Sequence, residues 1–369
     1  MPKIKKREES SLQIPVQEAV HDFFASPEFK RLRPSTKQEY FQELPKFAAW
    51  CASHTILQDK NKKSWYALPV GKKYEPIMLN QINHHVIQCF VEYLQQTHKP
   101  SRSAASEIST YTLASYVRVA KRFLSWCLED EQYSDILDAK SISKIKLLTV
   151  VKTIIEVFSP EQLEALFDAC RYEESEHLQI RDQAILALLV DTGIRASELV
   201  SLTIGNVSLD TKDSYVRVLG KGGKWGEVGM GEKTRRLLQK YIRMFRVPTI
   251  EFAIESQLKK LPTRSAQQFK AQAIQKANLF MSRSGGGLTV RGLERLIERL
   301  GEWAEIEGVR CTPHTFRHTF AAMFIRNGGD IYTLSKLLRH SSVKVTEEYL
   351  KSLKQSEARR GAKSVLDTL

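Results

Sequence analysis

The chain has 369 residues, 42% of them hydrophobic, and its 56 lysines and arginines against 42 aspartates and glutamates give a formal net charge of +14. This length suggests two domains with ordinary cores, and so large a basic excess points to a polyanion, either nucleic acid or an anionic membrane surface. No apolar run reaches the roughly 18 residues of a membrane span, the basic start MPKIKKREESS leads into no secretory h-region, and no basic amphipathic helix with exposed Trp or Phe speaks for a membrane surface.

In chain order, residues 1–14 read as a flexible basic arm. From Val16 to about Ser134 the pattern is helical. RPSTKQEYFQELPKFAAWC offers Ser35 as an N-cap with Gln38 three residues on, and Pro45 is expected to kink that helix. INHHVIQCFVEYLQQ is a second helix. In the third, TLASYVRVAKRFLSWCLED, the residues Leu113, Tyr116, Val117, Ala120, Phe123, Leu124 and Cys127 face a core. Ser115, Arg118, Lys121 and Arg122 fall on the other side, which is either a solvated basic face or one that tracks phosphates. Residues 138–158 read as an extended linker. SPEQLEALFDAC restarts a helix, with Ser159 as cap, Pro160 at the first helical position and Gln162 completing the box.

The run from Ala184 to Val190 is apolar nearly all round, so its helix is buried on most faces and ends at Gly193. VSLD, YVRVLG and WGEVGM read as three strands joined by turns at Thr211–Asp213 and at KGGK. The 248–276 segment is polar, helix-prone and long enough to be an insertion. ANLFMS is a short strand candidate, and helices are expected from Val290 onward. The fold class is mainly α with a small antiparallel sheet. Cys51, Cys89, Cys127, Cys170 and Cys311 are odd in number, scattered and never in CxxC spacing. That argues for a reducing cytoplasm and against a disulfide framework or a zinc ribbon.

The chemistry-bearing residues lie at element ends. Arg195 follows the break at Gly193; its partner is Glu198, three residues on, or a phosphate with Glu198 holding the arginine in place. Lys221 sits at a glycine-rich hairpin tip, either solvated or able to reach a site and donate a proton, and Lys224 competes with it. In TPHTFRHTFA, Thr312 caps a helix and Pro313 begins it. His314 and Arg317 share a face near that N-terminus, which either is an exposed charged turn or cradles a phosphate. His318 lies one turn from His314, but HExxH is absent, so a metal site is the weaker reading. His340 precedes a Ser-rich stretch, and Tyr349 by itself reads as amphipathic packing.

Taken in order, Arg195 in TGIRASELVSL, Lys221 in VLGKGGK, His314 and Arg317 in TPHTFRHTFA, His340 in LLRHSS and Tyr349 nine residues later resemble the tyrosine recombinase, or phage integrase, family. The resemblance is strong over about 159–355. It extends to the helical region before it, which looks like the family's DNA-binding core-binding domain. It implies two domains that clamp duplex DNA: 15–137 helical and core-binding, 138–158 linker, 159–355 catalytic. A 356–369 tail would dock on a neighbouring protomer of a homotetramer. Tyr349 would attack the phosphate to form a 3′-phosphotyrosyl link, Arg195 and Arg317 would clamp the oxygens, and His340 would add a donor. Lys221 would protonate the leaving oxygen, His314 would act as acid or base near the phenol, and Glu198 would support the site. His318 is assigned to structure, and Arg118, Lys121 and Arg122 to DNA-backbone contacts. Neither a cofactor nor a metal is implied, nor a small-molecule substrate. The chain departs from the family pattern at Arg339, where glycine is usual, and in the third strand, where Gly226 and Gly229 occur. The rival readings are a type IB topoisomerase and a DNA-binding regulator that performs no chemistry.

Overall fold

The computed structural model describes residues 13–59, 64–98, 107–149, 156–220, 223–340, 342–343 and 346–347. The basic arm before residue 13, the 356–369 tail, Lys221 and Tyr349 lie outside them. The chain divides into two compact units, residues 1–151 and 152–369.

The first unit holds helices α1 (Val16–Ala25), α2 (Pro27–Lys30) and α3 (Pro34–Ser53), strands β1 (His54–Asp59) and β2 (Ser64–Pro69), and helices α4 (His84–Thr97), α5 (Thr110–Glu129) and α6 (Ala139–Ser143). All seven apolar positions read on α5 are buried, in a core rich in rings such as Phe47, Phe90 and Trp126. Four expectations need correcting here. The helical pattern is interrupted by an antiparallel β1–β2 hairpin, with Leu57 opposite Tyr66. Its strands are only half buried, so the hydrophobic period there is weak. α3 begins at Pro34 with Arg33 in the capping position, because proline's fixed φ starts the helix one residue before Ser35 can cap it. Within the 138–158 linker, Asp138 caps a short helix by accepting from the Lys140 and Ser141 amides. Ser115 is buried, not on a solvated face, and donates to Glu39 and Glu43 at 2.7 Å each. Pro45 lies inside α3 without ending it.

The second unit opens with α7 (Pro160–Ala169), capped by the Ser159–Gln162 box, followed by α8 (Glu176–Thr192) and α9 (Ala196–Val200). α8 is buried from Ala184 to Leu189 and ends in left-handed Gly193, φ 57°. Buried charges in and just before it are paired: Arg181 meets Asp182 at 2.7 Å, and the sequestered Glu173 carboxylate, ahead of α8, takes Arg283 and Arg299. Strands β3 (Val207–Leu209), β4 (Ser214–Leu219) and β5 (Trp225–Gly229) form an antiparallel meander in that order. Val216, Val218 and Val228 point from it into the core, whereas Arg217 and Glu227 pair at 3.2 Å on the outer face.

α10 (Glu232–Tyr241) runs through a π-turn, Ile242–Arg246, into α11 (Val247–Leu258) and α12 (Thr263–Lys276). The long polar segment is therefore a pair of packed helices. ANLFMS is not a strand: Asn278 and Met281 make only isolated bridges, to Thr203 and Gly287. One reason is that two of its carbonyls, those of Asn278 and Leu279, accept from the buried Arg246 guanidinium. Helices α13 (Val290–Trp303), α14 (Pro313–Arg326) and α15 (Ile331–Leu337) complete the described part. No described helix is long and apolar enough to cross a membrane.

Candidate active site

The site is assembled from helix ends. At its start, α9 has Arg195 in the capping position, and Glu198 reaches back to the Arg195 amide at 3.0 Å. The same carboxylate takes Arg195 Nη1 at 2.8 Å. A local capping device thus aims the guanidinium, which leaves Arg195 a third exposed while Glu198 is buried. Burial pushes the Glu198 carboxyl up, but the Arg195 amide and the guanidiniums of Arg339 and Arg195 outweigh it and hold the carboxyl below its usual range.

Arg317 lies in the second turn of α14, whose first turn is fixed by Thr312 accepting from the Thr315 amide and by Pro313. It is buried and donates to the Gly193 and Leu338 carbonyls at 2.6 Å each. These carbonyls belong to the residues that end α8 and α15. Such groups lack an intrahelical donor and sit at the negative end of the helix dipole, which suits a guanidinium.

The turn after α15 is the meeting point. The His340 amide donates to Ser335 and the Arg339 amide to Lys336, the paired bonds that close a helix on a left-handed residue. That residue is Arg339, φ 53°. The Leu338 carbonyl takes Arg317, the Arg339 carbonyl takes Arg195 Nη2 at 3.3 Å, and the Arg339 side chain reaches Glu198 Oε2 at 2.5 Å. His340 Nδ1 bonds Thr346 at 2.8 Å.

The structure therefore brings together Arg195, Glu198, Arg317 and His340, with His314 close enough to feel the first and third of them. Partial burial, then Arg317 and Arg195, lower the His314 pKa, although its side chain stays exposed at the helix start. Burial and the charges of Arg317, Arg195 and Arg339 push His340 down to about 4. His318, whose ring lies 5.3 Å from that of His314, falls to about 4 through burial, His314 and Arg317. Near neutral pH the positive charge thus resides on three guanidiniums, with one carboxylate among them. The arrangement suits a bound phosphate, whose charge would favour protonation of the histidines.

A stability test follows. The unfolded chain protonates His318 near its ordinary 6.5, whereas the native state resists until about 4. Native stability is therefore lost as pH falls from about 6.5 to about 4, with no further loss from this group below that. The urea midpoint of the wild type should drop between pH 7 and pH 4.5 by more than that of His318→Gln. Equal drops would exclude His318 as a source of the loss.

Lys224 is exposed beside the hairpin turn, and the Gly220 amide donates to its carbonyl at 2.8 Å. Among the proposed DNA contacts, Arg118 pairs with Glu39 and Lys121 donates to the Ile145 carbonyl at 2.5 Å, so both are used within the first unit. Arg122 is exposed. Sequence reasoning gave Arg339 no role. The available signal was an arginine just past a helix end, where the left-handed turn favours glycine. Among the described residues no cluster of three or more His, Cys, Asp or Glu could hold a metal ion.

Comparisons with known proteins identify the class. The phage integrase family model matches residues 156–356. Tyrosine recombinase XerD of Haemophilus ducreyi is 30% identical over 276 residues, covering 74% of this chain and 80% of that protein. Tyrosine recombinase XerC of Thermodesulfovibrio yellowstonii is 28% identical over 303 residues, covering 81% and 85%. In fold, the Tn1549 transposon integrase bound to transposon right end DNA matches with TM-score 0.61 at 15% identity, over 94% of this chain and 98% of that one. A lambda integrase dimer bound to a core site matches with TM-score 0.59 at 12% identity, over 90% and 93%. The chain belongs to the phage integrase family. Its activity class is site-specific recombination by a tyrosine recombinase, and neither rival reading is favoured.

Proposed function

We propose that this recombinase cuts and rejoins duplex DNA through a 3′-phosphotyrosyl intermediate with Tyr349 as nucleophile. The observation that supports this best is the convergence of Arg195, Arg317 and His340 on the single turn at residues 338–340. An attacked phosphate gathers negative charge on its non-bridging oxygens, and preorganised guanidiniums stabilise that charge without reorganising. Arg195 and Arg317 clamp those oxygens, and His340 donates to the same group. His314 exchanges a proton with the phenol. Lys221, or Lys224 beside it, protonates the leaving 5′-oxygen. Glu198 keeps Arg195 aimed. The covalent link conserves the energy of the broken phosphodiester, so rejoining needs no nucleotide cofactor. The active assembly is a homotetramer on DNA, with the chain's tail docked on a neighbour, working in the reducing cytoplasm on chromosomal or mobile-element DNA.

To test this, the protein is incubated with DNA from its own genetic neighbourhood, covalent complexes are trapped and digested, and the DNA junctions and modified peptide are sequenced. An adduct on Tyr349 at one recurring site is expected. An adduct on another residue, or none on any DNA tried, would remove the proposed chemistry.

Backbone tracking by the first unit is assigned mainly to Arg122, because Arg118 and Lys121 already have partners inside the fold. Arg122→Ala should weaken binding to specific and nonspecific DNA alike and lower the slope of log affinity against log salt by about 1. An unchanged slope would remove Arg122 from the phosphate contacts.

A further inference from the structure

The residue that the proposed chemistry does not use is Arg339. It occupies a left-handed backbone position, φ 53°, where the side chain of an L-residue is strained and glycine is not. Its Nε is buried and has no hydrogen-bond partner among the described residues. Two unfavourable features at one residue call for a compensating contact, and the guanidinium supplies it. Nη2 donates to Glu198 Oε2 at 2.5 Å and Nη1 to the Leu337 carbonyl at 2.9 Å, while the Arg339 carbonyl accepts from Arg195 Nη2 at 3.3 Å.

Resting on the recombinase reading above, we propose that Arg339 is a positioning residue for DNA cleavage, which locks Glu198 and Arg195 to the turn bearing His340. The charge balance explains why a second guanidinium is useful. Glu198 facing Arg195 alone would form a closed, neutral pair, and a phosphate would have to compete with the carboxylate for that arginine. With Arg339 on its other oxygen, Glu198 is shared between two cations and the cluster keeps a net positive charge. Strand β5 makes room for the arm: a β-carbon on Gly226 would lie 3.1 Å from Arg339 Cδ. Gly226 and Arg339, two of the departures from the family pattern, thus meet in space.

The test uses the full chain and a nicked duplex carrying the site recovered by covalent trapping, with single-turnover cleavage at saturating DNA measured separately from affinity. Arg339→Gly should slow cleavage on the order of 10- to 100-fold. Affinity should change little, and the thermal midpoint should hold or rise, because glycine relieves the strained backbone. Arg339→Lys should restore part of the rate through its single charge. Gly226→Ala should slow cleavage in the wild-type background by pressing on the Arg339 arm, and should have no effect in the Arg339→Gly background. Cleavage by Arg339→Gly at the wild-type rate overturns the proposal. A slow variant that is also less stable and gains nothing from lysine likewise overturns it, in favour of a purely structural role. A wild type that forms no adduct removes the recombinase reading itself, and this inference with it.

Discussion

Replacing Arg317 by lysine should slow DNA cleavage by about 1,000-fold at saturating DNA and lower unfolding stability by about 2–4 kcal/mol. Both effects have the same origin. Arg317 is buried and its planar fork spans two helix-end carbonyls, Gly193 and Leu338, at 2.6 Å each. A guanidinium can hold two acceptors in fixed directions and still present N–H groups to a phosphate. An ammonium is a compact, strongly hydrated point charge on a flexible stem, and cannot reproduce that fork. At least one of the two carbonyls would then be buried without its donor, at about 1–3 kcal/mol. Single-turnover adduct formation and the denaturant midpoint report the two effects separately. If Arg317→Lys cleaves within about tenfold of the wild type, the clamp is not where this site places it.

Gly193→Ala should destabilise the protein by about 2–4 kcal/mol, seen as a fall of the thermal midpoint on the order of 10 °C. At φ 57° an alanine is strained at once, and its β-carbon would sit 2.5 Å from Phe320 Cδ1 and 3.0 Å from Leu338 Cδ2. Neither neighbour can withdraw cheaply, because α14 and α15 are packed against each other there. The Gly193 carbonyl also holds Arg317, so cleavage should fall further than stability alone explains. Gly71→Ala is the control: no heavy atom lies within 4 Å of the β-carbon it would add, and the backbone there is ordinary. Comparable midpoints for the two variants would refute the steric argument.

What the sequence made legible was local. The Ser159–Gln162 box, Thr312 before Pro313, the glycine stop at Gly193 and the three-strand meander are each encoded within a few residues, and the structure has all of them. Failures came where local signals compete or fade. Pro34 overrode Ser35 as the start of α3. The half-buried β1–β2 hairpin lacks a strong alternating period. Ser115 read as part of a face that was either solvated or phosphate-tracking, but it is buried against the acids of α3.

The sequence by itself determined most of the helices, the three-strand meander and the order of the reactive side chains, because caps, turns and periodicity act over one or two turns of chain. Only the tertiary structure decided that the ends of α8 and α15 meet, so that Arg195, Arg317 and Arg339 share one turn. Those residues are separated by more than a hundred positions in the chain or lie on different helices. Their convergence depends on how buried surfaces pack, which no local pattern records.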